Sequence, residues 1–209
     1  MAADRYQTVL LFGAPGSGKG TQGKILGTIP GFYHLSCGEV FRSLDINSPL
    51  GKEVYRFSSR GELVPDEITI HIWKVGMDGR TAQTDYKPWE DVLILDGIPR
   101  NVNQAKLIEQ HIQVQRVVYL DCSDEAAMIR RLRRRAIKEN RADDATEEVI
   151  RRRWDVYQRE SAPILDYYPR EIITRVSAMG SPAEVLFDVL QVVIPVQNAN
   201  FRKFAQPAE

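Results

Sequence analysis

Four apolar runs rich in β-branched residues punctuate the chain: Val9–Phe12, Val92–Leu95, Val117–Leu120 and Ile172–Val176. Such runs, without a polar residue at every second place, are the mark of strands covered on both faces of a parallel sheet. Tyr33–Ser36 is a shorter fifth candidate. Between them, apolar positions recur at helical spacing over roughly 20–25, 51–59, 66–76, 102–112, 123–135, 145–160 and 182–193. Strands alternating with helices predict an α/β fold built on a doubly wound five-stranded parallel sheet. In such a sheet ligands bind outside the carboxyl ends of the strands. The stretch from Cys37 to Pro65 reads as helices with no strand, an insertion in the sheet order. Gly61 ends one of its helices and Pro65 starts the next. The segment after Pro195, with Asn, Gln and proline, reads as an excursion or frayed end.

The first apolar run leads into Gly13-Ala14-Pro15-Gly16-Ser17-Gly18-Lys19-Gly20-Thr21, and a helical run follows. Strand, glycine loop and helix in that order form a P-loop. Consecutive backbone N–H groups and the helix N-terminus favour a phosphate chain, and a lysine reaches its terminal phosphates. Gly20 stands directly after Lys19, with Thr21 one place later. A loop that binds Mg²⁺ directly has Ser or Thr at the first of those places, so the metal is expected to be held through water and carboxylates.

Composition narrows the partners. Of the 209 residues, 28 are Lys or Arg and 28 are Asp or Glu, so the net charge is zero and a nucleic-acid coat is not expected. Cys37 and Cys122 form no CxxC pair, which argues against a zinc site or a disulfide scaffold. No apolar run approaches the length of a membrane span. The first strand begins almost at once, leaving no room for a signal peptide, so a cytoplasmic protein is expected. The three histidines, His34, His71 and His111, are scattered and read as structural.

The arginines are clustered. Met128, Arg131 and Arg135 share one helix face at spacings of three and four residues. Arg141 and the pair Asp143-Asp144 follow, then Arg151–Arg153 in the next helix. Arginine's planar fork suits a transferring phosphate, whose oxygens need donors already in place. Arg42, Arg100, Arg131, Arg135, Arg141 and Arg153 are the candidates, whereas Arg130, Arg133, Arg134, Arg151 and Arg152 read as a solvated face. After the second long strand comes Asp96-Gly97-Ile98-Pro99-Arg100, with Gln104 four residues on. That offset is taken to place Arg100 and Gln104 on one helix face.

Together these motifs resemble the adenylate kinase family of nucleoside monophosphate kinases in its short-lid form, from about Val9 to Gly180. The resemblance implies one P-loop kinase domain over residues 1–194 and a tail over 195–209. Its core would be 1–35, 66–133 and 145–194, with a monophosphate-binding insertion over 36–65 and a short lid over 134–144. It implies reversible transfer from ATP to AMP giving two ADP, with Mg²⁺ and no zinc, in a monomer that binds neither nucleic acid nor membrane. The donor side would be Gly16, Ser17, Gly18, Lys19, Gly20, Thr21, Arg131, Arg135 and Gly180. Cys37, Arg42, Glu62, Leu63, Val64, Gly97, Ile98, Pro99, Arg100, Gln104, Arg141 and Arg153 would form the acceptor side. Asp96 would anchor the metal through water. Lys19, Arg100, Arg131, Arg135, Arg141 and Arg153 would carry the catalytic charge, with Asp143 and Asp144 orienting arginines as the lid closes. Three positions depart from the family's commoner pattern: Cys37 for Thr, Glu39 for Asp, and Ile98 for a bulkier residue. A thiol is a weak hydrogen-bond donor, so Cys37 leaves a UMP/CMP kinase as the rival on this scaffold, and a non-catalytic nucleotide-binding module as the rival of another class.

Overall fold

The computed structural model describes residues 5–122, 124–139 and 146–205. Its centre is a parallel five-stranded sheet: β1 (Tyr6–Phe12), β2 (Phe32–Ser36), β3 (Val92–Asp96), β4 (Ile112–Asp121) and β5 (Ile173–Ser177), in the spatial order β2-β3-β1-β4-β5. The weak candidate at Tyr33–Ser36 is thus a full edge strand, paired along β3 from Phe32 opposite Val92 to Ser36 opposite Asp96. All five residues of β3 are buried, as its unbroken apolar run requires.

Helices cover the sheet: α1 (Lys19–Leu26), α2 (Cys37–Arg42), α3 (Pro49–Ser58), α4 (Asp66–Ala82), α5 (Val102–Ile108), α6 (Glu125–Glu139), α7 (Glu147–Val156), α8 (Ile164–Tyr167) and α9 (Pro182–Ala205). The main core holds Val9, Leu10, Leu93, Ile94, Leu95, Val117 and Leu120, all at 1% exposure or less, with Trp73 and Met77 of α4 against them. A smaller cluster of Val54, Val64 and Ile72 joins α3 to α4.

Several boundaries differ from those read in the sequence. The helix placed at 102–112 ends at Ile108, because residues from Ile112 onward pair with β1 from Tyr6. Gln113, Gln115 and Arg116 hide that strand in the pattern, since its first half lies near the sheet's end and keeps polar side chains. The helix placed at 66–76 continues to Ala82, and the one placed at 123–135 runs to Glu139, into the expected lid. α7 changes after Val156 to a π-helical turn, Tyr157–Ser161. The expected tail after Pro195 is helical as far as Ala205. A proline inside a helix removes one hydrogen bond and costs about 3 kcal/mol. Here Val185, Val189 and Val193 bury the same helix, and Gln197 and Asn200 donate to the carbonyls of Pro30 and Glu90. No described helix is long and apolar enough to cross a membrane.

Candidate active site

In the sheet, Leu11 of β1 lies opposite Asp96 of β3. The loops leaving these two strands therefore begin side by side, which brings the glycine loop and the Asp96–Arg100 turn to one crevice. Gly13, Gly16 and Gly18 all have positive φ, of 143°, 83° and 99°. At Gly16 a Cβ would also stand 3.1 Å from Leu132 Cγ, so this turn excludes any other residue. The loop ends at Gly18, the N-cap of α1, whose first turn has no acidic side chain. Its unpaired N–H groups and dipole thus face the loop. Ser17 is 2% exposed and its hydroxyl has no protein partner, which fits a phosphate oxygen as its acceptor. Gly20 and the exposed Thr21 lie in the first turn of α1.

Lys19 folds inward. Its ammonium donates to the carbonyls of Gly13 at 2.7 Å and Ala14 at 2.9 Å. Burial lowers its pKa from 10.5 to about 8. The carboxylate of Asp96 opposes that fall, and the charges of Arg100, Arg135 and Arg153 add to it. Four cations from β3's end, α6, α7 and the glycine loop are therefore within electrostatic range of one another. Asp96 is 6% exposed, and its Oδ2 lies 3.8 Å from where a Cβ on Gly20 would stand. Among the described residues no three His, Cys, Asp or Glu side chains gather as a metal cage. A lone carboxylate facing a phosphate loop fits a cation that arrives on the phosphates and keeps its waters.

The second corner of the crevice lies between α2 and the Gly97 turn. Around the point where a Cβ on Gly38 would stand, Arg42 Nη1 is at 3.2 Å and Arg100 Nη2 at 3.8 Å. The same Arg100 nitrogen is 3.5 Å from the corresponding point on Gly97, with Cys37 Cβ at 3.9 Å. Two guanidinium groups thus converge beside two glycines that leave the backbone uncovered. Cys37 is 1% exposed, and burial pushes its thiol up to about 12, so it stays protonated. Ile98 and Pro99 are buried beneath the turn.

Gln104 is not on a helix face shared with Arg100. Asn101 is the N-cap of α5, and Arg100 lies before it. The two meet because the Arg100 N–H donates to Gln104 Oε1 at 2.8 Å across the cap. Gln104 is 1% exposed, and its amide nitrogen donates to Asp66. Glu62 pairs with the solvent-exposed Arg152 at 2.8 Å, an Arg–Glu pair on the expected solvated face that also joins α7 to the insertion. Leu63 is half-buried and Val64 buried, and the Val64 carbonyl accepts from the Thr69 hydroxyl. Ser36 and Glu39 do not cap α2 with their side chains; Glu39 pairs with Lys24 of α1 at 2.7 Å.

On the far side, Arg131 of α6 donates to the Ala178 carbonyl at 2.8 Å, tying α6 to the segment that carries Gly180. Ser181 and Glu184 form a reciprocal capping box at the start of α9, and hydrogen bonding from the Ser181 main-chain N–H first, then its hydroxyl, holds the Glu184 carboxyl below its ordinary value. Arg141, Asp143 and Asp144 lie outside the described residues. The sequence reading passed over Asp66 and Ser161. Ser161 donates to the Arg100 carbonyl at 2.6 Å from the π-helical turn. A π-turn inside an α-helix often marks a site, but the sequence carries no local sign of one here.

A family model described as Adenylate kinase matches residues 11–173. An adenylate kinase of Cyanothece sp. is 41% identical over 167 residues, 77% of this chain and 80% of that protein. One of Micrococcus luteus is 38% identical over 198 residues, 91% of this chain and 92% of its own length. One of Thermus thermophilus is 34% identical over 189 residues, 87% and 94% of the two chains.

Proposed function

The chain belongs to the adenylate kinase family, and from that premise we propose how its residues divide the work of moving a phosphoryl group. It is a phosphotransferase acting on a nucleoside monophosphate, interconverting ATP plus AMP and two ADP. An acceptor α-phosphate oxygen forms a bond to the γ-phosphorus while the bond from that phosphorus to the β,γ-bridging oxygen breaks. The acceptor oxygen is already anionic, so no general base is needed. What the protein must supply is alignment, positive charge and exclusion of water.

In this reading Gly16, Ser17, Gly18, Gly20 and Thr21 wrap the donor phosphates, and Lys19 and Arg135 hold their charge. Arg42 and Arg100 clamp the acceptor phosphate, whose nucleoside lies toward Cys37, Gly97, Ile98, Pro99, Gln104 and the Glu62–Val64 segment. Arg131, Arg141 and Arg153 bridge the reacting groups, and Gly180 borders the donor base. Mg²⁺ enters with ATP as part of the substrate, and Asp96 holds its water. The insertion over 36–65 and the lid over 134–144 close on the core (1–35, 66–133 and 145–194) and keep water from the γ-phosphate. One chain carries every group named, which supports a monomer, and we place its work in the cytoplasm.

The observation that carries this reading is the gathering of Arg100, Arg135, Arg153 and the Asp96 carboxylate within electrostatic range of Lys19. A module that merely bound nucleotide would gain nothing from cations on both sides of the transfer point. The test is an acceptor panel at fixed ATP and Mg²⁺. AMP should give ADP with the highest kcat/KM. Preference for UMP or CMP by about tenfold or more would overturn the base assignment, and ATP binding without transfer to any monophosphate would leave a binding module.

A further inference from the structure

Asp66, the first residue of α4, stands where the acceptor insertion rejoins the core. Three side-chain amides converge on its carboxylate. Asn101 Nδ2 and Gln104 Nε2 both donate to Oδ1 at 2.9 Å, and Asn103 Nδ2 donates to Oδ2 at 2.7 Å. Two of these amides are held at their other end by a main-chain N–H. Asn101 Oδ1 accepts from the Gln104 N–H at 2.7 Å, and Gln104 Oε1 accepts from the Arg100 N–H at 2.8 Å. A primary amide has a donor end and an acceptor end, an N–H can only donate, and a carboxylate can only accept. Both amides are therefore fixed in one sense. Turning Gln104 over would set its oxygen against the Asp66 carboxylate and its NH₂ against the Arg100 N–H.

We propose that Asp66 is a positioning residue for the acceptor clamp: it fixes the Gln104 amide, and through it the main chain of Arg100. The rest of Arg100 is gripped as well. Its carbonyl accepts from the Ser161 hydroxyl at 2.6 Å, and its own Nε donates to the Gly97 carbonyl at 2.8 Å. A guanidinium that must meet a phosphate through its two Nη groups needs a fixed base, and Asp66 supplies a strut that comes from the insertion's own boundary. Asp66 directly follows Pro65, the last residue of the insertion over 36–65, so the strut ties Arg100 to the point where that insertion rejoins the core. The functional side of this inference rests on the clamp role given to Arg100 above.

Asp66→Ala removes both acceptor oxygens, whereas Asp66→Asn would keep one for Asn101 and Gln104. In the substrate-free protein, hydrogen exchange of the Arg100 N–H should quicken by about tenfold, the loss of one buried charge-assisted hydrogen bond. In kinetics KM for AMP should rise by about tenfold while KM for ATP stays within about twofold. Glu67→Gln removes a neighbouring exposed first-turn charge that touches none of the amides, and should change neither. Gln104→Met cuts the same strut at its other end and should reproduce the exchange effect, and Asp66→Ala added to it should give no further increase. Unchanged Arg100 exchange in Asp66→Ala, additive effects of the two changes, or equal rises of both KM values would overturn the proposal. A wild-type protein that makes no ADP from AMP would instead overturn the proposed function, and the exchange measurement would still decide the part played by Asp66.

Discussion

Raising the pH should loosen ATP binding through one group, Lys19. Its ammonium lies on the Gly13 and Ala14 carbonyls, and its pKa is lowered from 10.5 to about 8. Burial is the largest cause, Asp96 resists it, and Arg100, Arg135 and Arg153 reinforce it. A phosphate chain in the loop favours the charged form and returns the pKa toward its ordinary value, so binding is linked to proton uptake. The sign follows from the two states. With a pKa of about 8, roughly nine-tenths of the ammonium groups are charged at about pH 7 and roughly one-tenth at about pH 9. Bound to phosphate, nearly all remain charged across that range. ATP affinity should thus fall by about tenfold between those pH values, and proton uptake per ATP bound should rise from about 0.1 to about 0.9. Calorimetry in two buffers of different ionisation heat measures both quantities. Flat affinity and no proton uptake near pH 9 would refute the reasoning, because the lysine would then be charged before ATP arrived. In Lys19→Met the uptake assigned to this group should vanish, leaving weaker binding that no longer falls over this range.

Turnover of Lys19→Met should drop by about 10² or more with little change in thermal midpoint, because the change deletes a phosphate contact and not packing; a variant with wild-type turnover would dismiss Lys19 from the site. Gly23→Ala should destabilise the protein by about 1–3 kcal/mol in urea unfolding, since a Cβ there would overlap the His34 ring. A helix-propensity gain of up to about 1 kcal/mol opposes this, and a more stable variant would refute the packing argument. Burial holds the His34 pKa below its ordinary 6.5, against the carboxylates of Asp96 and Glu39, with Lys24 adding to the fall. The unfolded chain takes up that proton first. The stability this gives is complete above about pH 6.5 and is lost as pH falls through the folded value. His34→Gln should flatten the loss seen between about pH 7 and pH 5 in denaturant midpoints, and an unchanged slope would assign it to other groups.

Much of the architecture is legible in the sequence because its signals are local. An unbroken apolar run such as Val92–Leu95 has few other uses than a strand covered on both faces, and glycines at 13, 16 and 18 before Lys19 have few other uses than a phosphate loop. The failures have physical causes too. Gln113, Gln115 and Arg116 obscure the start of β4, whose pairing with β1 is a contact over a hundred residues away in sequence. Pro195 suggests a stop, but the helix continues because distant carbonyls and the core hold it.

By itself the sequence determined the glycine loop, the turn at Asp96, the strand–helix alternation and the family. The tertiary structure decided which of the many arginines meet. Arg42 and Arg100 share a corner because α2 and the Gly97 turn lie side by side, and Arg135 and Arg153 come near Lys19 from two different helices. It also decided that Gln104 joins Arg100 to Asp66 across a helix cap, and that Arg152 joins α7 to the insertion at Glu62. The physical reason is range. Chain pattern records what each residue needs from its near neighbours, whereas a phosphate site depends on charges brought together by the order of strands, which no local pattern encodes.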